Sequence, residues 1–362
     1  MSRLAVLAVA TGAVAAVVAV PTTAQAQEFV PCSATALRNA ITRANTTPGP
    51  ATLYLSYGCT YQLTVEDSPG NGLPSVTSEI DVIGNRSTIR RASTTVNFRI
   101  FEVSGPGGNL TLRNLTVRDG RSTSGGAGGG GIAVYLGARA TLDTVEVTRN
   151  QALVTGPGGG IAAGGALTLR NSTVSYNIAQ DNGGGVSAGG PLTLSNTTIT
   201  GNSARAEAGG IDVGAALTAT NSQVTDNADG EATGGIRVRS GATATLTDTL
   251  VRGNTTARQS SGGSAAGGIN NNGSLTLDRT TVLANRALGT ADQGGGIANY
   301  GAAATATIRN SSVTHNLARG SATSAGGILN SGGAVSLTAT PVTDNLASNC
   351  AHSSPAVAGC TG

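Results

Sequence analysis

Gly159-Gly160-Ile161, a short variable stretch, Leu167-Thr168-Leu169, Asn171-Ser172-Thr173-Val174 and then Asn177 form one phrase that the chain writes repeatedly from Gly128 onward. The Ile or Val after the Gly pair falls at Ile132, Ile161, Val186, Ile211, Ile236, Ile269, Ile297 and Ile328, at spacings of 29, 25, 25, 25, 33, 28 and 31. A period in this range marks a solenoid or an array. Each unit carries three short apolar pieces. Leu167, Leu169 and Val174 can point inward while Thr168 points out, which is strand periodicity. No piece is long enough for a helix, and Gly clusters separate them. Three short strands per coil make a parallel β-helix, an all-β fold whose coils stack about 4.8 Å apart. A leucine-rich repeat would need a helix or extended apolar stretch where this chain has Gly-Gly-Gly. A calcium-loaded β-roll would need GGxGxD nonapeptides, and none is present.

Stacking turns the repeat into files. Val147, Val174, Ile199, Val224, Val251, Val282, Val313 and Val342 make one inward file. Three positions after each stands Asn150, Asn177, Asn202, Asn227, Asn254, Asn285, Asn316 or Asn345. An Asn amide can donate to one neighbouring coil and accept from the other, so a hydrogen-bonded ladder is expected along the axis. Asn also tolerates the left-handed corner that a coil needs. Outward, Thr141, Thr168, Thr193, Thr218, Thr245, Thr276, Thr307 and Ser336 line up. The outward positions two residues on are mixed, which argues against ice binding.

Composition agrees with such a cylinder. The 362 residues include 54 Gly, no Trp, three Phe and six Tyr, and the basic residues are all Arg. Apolar content of 39% excludes disorder, and a formal charge of +3 with so few rings excludes a nucleic-acid binder. Arg3, the apolar run Leu4 to Val20 and Ala24-Gln25-Ala26 read as a signal peptide over residues 1–26, so secretion to the extracellular space is expected, with no membrane span after its removal. Cys32, Cys59, Cys350 and Cys360 then favour disulfides. Three pairings are open; Cys32–Cys59 and Cys350–Cys360 are the economical choice, each closing a local loop. Residues 27–79 read as an N-terminal cap, 80–345 as coils and 346–362 as a C-terminal cap. Ser33 can N-cap a helix from Ala34 to Ala44 with Leu37, Ala40, Ile41 and Ala44 on one face, covering the open first coil.

Cys32 followed by Leu37-Arg38-Asn39-Ala40-Ile41 and Ala44-Asn45 resembles the N-terminal C-S-L-R-E-A-I motif of secreted bacterial right-handed β-helix proteins. Here Ala34-Thr35-Ala36 separates Ser33 from Leu37, and Asn39 stands at the acidic position. The coil phrase is similar to the repeats of those proteins and of chlamydial polymorphic outer-membrane proteins, although no membrane barrel follows. The resemblance implies a pectin-lyase-like right-handed parallel β-helix, export, and contact with a polysaccharide or a surface, but no single reaction. The Ala/Gly/Val-rich, all-Arg usage looks actinobacterial.

Charge is sparse, so its clustering is informative. Asp212 and Arg237 hold the same position on successive coils, and Arg239 lies two residues on. Asp181, Glu207, Asp229 and Glu231 sit on the turns just before this strand. Asp212, Arg237 and Arg239 are the candidate catalytic residues, with Glu207, Asp229, Glu231 and Asp181 as candidate sugar or cation ligands; the other reading is a solvated salt-bridge ladder. No cofactor is expected, except Ca²⁺ if the protein is a lyase. His315 and His352 lack catalytic partners and read as exposed loop residues. Tyr135 and Tyr300 are candidate sugar-stacking platforms. The expected protein is a secreted monomer that binds an extracellular polysaccharide or cell surface without catalysis. The alternatives are a lyase or hydrolase of an acidic polysaccharide, and a passive rod.

Overall fold

A computed structural model describes residues 26–93, 96–123, 128–257, 265–290 and 293–362. The expected signal peptide, apart from Ala26, lies outside these residues. The chain is a right-handed parallel β-helix of about 11 turns, with one short helix among the described residues. Three long parallel sheets run along its axis. The broadest holds the Leu-Thr-Leu and Val strands, a second holds the Ile strands, and a third holds the short strands that follow the Asn file.

The register follows the repeat. Thr168 pairs with Thr141 and Thr193, Val174 with Val147 and Ile199, and Ile211 with Val186 and Ile236. Leu167, Leu169, Val174 and Ile161 are buried, and the same files run through the whole core. A narrow cylinder filled by stacked Val, Ile and Leu has little room for rings. Among the described residues the buried aromatics are Tyr61, Phe98 and Phe101, all in the first coils.

The Asn file is a continuous ladder. Asn202 donates from N and Nδ2 to Asn227 Oδ1, both at 3.0 Å, while Asn227 donates from N and Nδ2 to Asn254 Oδ1, again at 3.0 Å. Each amide also donates to a carbonyl of the preceding coil, as Asn227 Nδ2 does to Ile199 O at 3.0 Å. Asn349 of the C-terminal segment ends the ladder by accepting from Asn345 N and Nδ2 at 3.2 and 3.1 Å. The Gly pairs belong to the same device. A Cβ on Gly185 would lie 2.8 Å from Gly210 O and 3.0 Å from Asn202 Nδ2, so only Gly lets the turn pass over the amide.

The left-handed corner is not at the ladder Asn. It falls one residue earlier, at Arg149, Tyr176, Asp226, Ala284, His315 and Asp344, with Gly201 and Gly253 in the same file. A second left-handed corner uses the Asn of Asn-Ser-Thr, at Asn171, Asn196, Asn221 and Asn310. Coil closure thus imposes the conformation on whatever residue stands at the first corner, while the ladder Asn serves hydrogen bonding.

Both ends are closed as their residues dictate. Helix α1 spans Ala34–Thr46, with Ser33 Oγ accepting from Ala36 N at 3.4 Å and Leu37, Ala40, Ile41 and Ala44 buried. Arg38 Nε donates to Gly72 O at 3.0 Å and Asn45 Nδ2 to Ser75 O at 2.7 Å, which ties the helix to the adjoining loop. Disulfides join Cys32 to Cys59 and Cys350 to Cys360. Strand pairing starts before Glu79: Ala26–Val30 pairs with Ala51–Leu55, and that strand with Glu79–Arg91, so residues 27–79 form coil as well as cap.

Candidate functional site

The middle residue of each Ile strand points outward. Along the axis this file reads Glu102, Ala133, Ala162, Ser187, Asp212, Arg237, Asn270, Ala298 and Leu329. The three small side chains between Glu102 and Asp212 leave a low floor. Alongside runs a second file, two residues on, that reads Tyr135, Gly164, Gly189, Gly214 and Arg239. It is held in register by backbone bonds from Gly164 N to Val134 O, Gly189 N to Ala163 O, Gly214 N to Ala188 O and Arg239 N to Val213 O, at 2.7 to 3.0 Å. Tyr135 and Arg239 are four coil steps apart, roughly 19 Å. The result is a trench of about 390 Å³. Ala133, Ala162 and Ser187 form its floor, Tyr135 and Leu136 stand at one end, and Asp212 and Arg239 close the other. Pro157, Asp181 and Asn182, from the preceding turns, form the far wall.

At the closed end both arginines are paired with carboxylates. Asp212 is fully buried and takes a bidentate pair from Arg239, Nε to Oδ1 at 3.0 Å and Nη2 to Oδ2. Arg237 pairs with Glu207 and holds Nη1 4.0 Å from Asp212 Oδ1. The Asn182 amide, assigned from its neighbours, donates to Glu207 Oε2 at 3.2 Å and Asp181 Oδ1 at 3.0 Å and accepts from Arg239 Nη2 at 3.2 Å. Burial pushes the Asp212 carboxyl above its ordinary range; Arg239 opposes this, the Asp181 charge adds to it, and a Ser187 hydrogen bond opposes it. Burial also lowers the Arg237 guanidinium, whereas the hydrogen bond to Asp212 raises that of Arg239.

The residues singled out from the sequence therefore divide. Asp212, Arg237, Arg239, Glu207 and Asp181 come together. Asp229 does not join them. It occupies an inward position in register with Ala204 and Thr256, where Oδ1 accepts from the backbone N–H groups of Glu231 at 2.8 Å, Thr233 at 3.1 Å and Ala232. Burial raises its carboxyl to about 6, against the pull of those hydrogen bonds. Glu231 is exposed and lines no part of the trench. Tyr135 lies in the trench, with its hydroxyl 3.5 Å from Nη1 of the buried Arg99, which also faces Glu102 at 3.5 Å. Tyr300 lies outside the trench, and His315 and His352 are exposed.

Two features escaped the sequence reading. The Gly file beside the trench was legible as Gly164, Gly189 and Gly214 at intervals of 25 residues, bounded by Tyr135 and Arg239, and its first two members line the trench. A second amide ladder replaces inward Val in the last coils, with Asn271 Nδ2 donating to Asn299 Oδ1 at 2.7 Å and Asn299 Nδ2 to Asn330 Oδ1 at 2.9 Å.

Among the described residues no group of three or more His, Cys, Asp or Glu side chains could hold a metal, and no helix is long and apolar enough to cross a membrane. A search of curated protein sequences found no match. Among solved structures, the chain is similar to the A-module of mannuronan C-5 epimerase AlgE4 from Azotobacter vinelandii. Identity is 14%, the TM-score is 0.44, and the alignment covers 86% of this chain and 93% of that one. The AlgE6 A-module of the same organism aligns at 16% identity and a TM-score of 0.43, covering 86% of this chain and 96% of that one. Residues 62–265, more than half of the chain, match the profile described as "Right handed beta helix region", and the protein belongs to that family.

Proposed function

We propose that the protein is exported and holds a glycan of the cell exterior in the trench between Tyr135 and Arg239, without cleaving it. The carrying observation is the trench itself, with a floor of small side chains, an aromatic ring at one end, and arginines at the other that already pair with Asp212 and Glu207. Its length suits an oligosaccharide rather than a single ring. Tyr135 offers a stacking face, while Asp181, Asn182 and Ser187 offer hydrogen-bonding groups. Because Arg237 and Arg239 are paired, a neutral chain suits the trench better than a uronate polymer, whose carboxylates would have to displace Asp212 or Glu207. Export draws support from the apolar leader and the two disulfides.

One observation favours a hydrolytic reading. Asp181 and Asp212 line the same trench, and burial raises Asp212 as a general acid requires. Its bidentate hold on Arg239 counts against this, since an acid must be free to reach the leaving oxygen.

Titration calorimetry of the purified protein against neutral and uronate polysaccharides tests the proposal, with reducing ends and ultraviolet absorbance followed in parallel. Binding of a neutral polymer without product is expected. Tyr135→Ala should weaken it about tenfold, roughly 1.4 kcal/mol, and Ala162→Trp should abolish it by filling the floor. Silence across the panel would sink the binding reading and leave a structural rod. Products that disappear in Asp212→Asn would replace it with an enzyme.

A further inference from the structure

Two inward files beside the third sheet carry small residues almost throughout. One reads Ser122, Ala152, Ala179, Ala204, Asp229, Thr256, Ala287 and Ala318. The other, on the turn that follows, includes Gly158, Gly183, Ala208, Thr233, Ala266, Gly294 and Ala325. The repeat pattern is broken towards oxygen-bearing side chains at Asp229, Thr233 and Thr256, which are neighbours. Asp229 and Thr256 pair in register, and Thr233 N–H binds Asp229 Oδ1. All three residues are buried, Thr233 and Thr256 completely. Asp229 Oδ2, Thr233 Oγ1 and Thr256 Oγ1 are each shielded from water and have no hydrogen-bond partner. Leaving such atoms unsatisfied costs free energy, most of all for a carboxylate. Asp212, the other fully enclosed acid of this region, has Arg239; the charge acting on Asp229 is the like charge of Glu231 on the same turn.

We propose that Asp229 Oδ2, Thr233 Oγ1 and Thr256 Oγ1 are ligands of one hard metal cation held inside the solenoid. A carboxylate with hydroxyl oxygens is a donor set for Ca²⁺ or Na⁺, and the added Glu231 charge favours the divalent ion. Mg²⁺ fits less well, because it sheds water reluctantly and the site is enclosed. The site also bears on the trench. Thr233 O accepts from Gly209 N at 2.9 Å, so a cation here would brace the turn that carries Glu207, the partner of Arg237.

Thermal unfolding of the full chain after chelator treatment, at constant ionic strength in choline, sodium, magnesium or calcium chloride, tests this. Calcium at about a hundred times its dissociation constant should raise Tm by about 5 °C over choline. Thr256→Ala should fold, since Ala occupies this file at Ala204 and Ala287, on either side of the Asp229–Thr256 pair, and should lose most of the increment while keeping its Tm in choline. Asp229→Ala should lose all of it. A Ca²⁺ or Na⁺ response removed by both variants supports the site. Equal Tm in every salt, or a response that survives both variants, overturns it.

Discussion

Replacing Asn227 by Leu is expected to lower the stability of the β-helix by about 3–5 kcal/mol, measured by urea unfolding. Asn227 makes four side-chain hydrogen bonds: it donates to Ile199 O and Asn254 Oδ1 and accepts from Asn202 N and Nδ2. Leu is similar in size and apolar, so packing is largely kept and the loss is polar. Asn202 N is left buried without its acceptor, at about 1–3 kcal/mol, Ile199 O and Asn202 Nδ2 each lose one partner, and the amides on either side lose part of their chain. The effect should be smaller for Asn345→Leu, because Asn345 lies at the end of the ladder beside the more open C-terminal segment. Thr218→Val, on the outward Thr file, should stay within about 0.5 kcal/mol. If the urea midpoint of Asn227→Leu matches that of the native chain, the amide ladder is not what holds the coils in register.

Removing Arg239 should have the next largest effect. In Arg239→Ala the Asp212 carboxylate stays buried with Ser187 beside it and Arg237 Nη1 at 4.0 Å. Breaking a buried pair from one side costs about 3–5 kcal/mol. The Arg239 side chain is 41% exposed, so screening reduces the expected cost to about 2–3 kcal/mol at neutral pH. The penalty should depend on pH in a defined direction. Without Arg239 the folded Asp212 binds its proton more tightly still than the unfolded chain does. Stability of the variant is then highest at acid pH and falls as pH rises past the unfolded value, about 3.9, and through the raised folded value. Asp212→Asn in the same background removes the titrating group and should recover most of the loss at neutral pH. A penalty that is flat from pH 4 to 8, or a double variant no better than Arg239→Ala, would show that packing of the arginine stem and not charge is responsible.

The parts of the molecule that are repeated were readable from the chain. The Val and Leu files, the Asn ladder and the coil phrase each recur along the axis, so one periodicity argument applies to every copy. Helix α1 was equally legible, because Ser33 and the spacing of Leu37, Ala40, Ile41 and Ala44 are local signals. The site was legible only in part. The clustering of Asp212, Arg237 and Arg239 follows from register, yet the bidentate partner of Asp212 is Arg239 and not its register mate Arg237. Successive residues of one file project side by side and leave the longer diagonal reach to close the fork. Asp229 looked like a member of the charged strip because it lies near it in sequence. Alignment with Ala179 and Ala204, each 25 residues apart, carries the signal that it turns inward.

By itself the sequence determined the β-helix, its inward files, its N-terminal helix and the stretch where charge gathers, because strand alternation and a repeated period act through local geometry. Only the tertiary structure decided that the arginines of this strip pair with Asp212 and Glu207 at the end of a trench, that two glycines beside small floor residues open that trench, and that Asp229 belongs to the interior. Those outcomes depend on which side chains are missing between coils and on how far the remaining ones reach, and neither is a property of any one repeat.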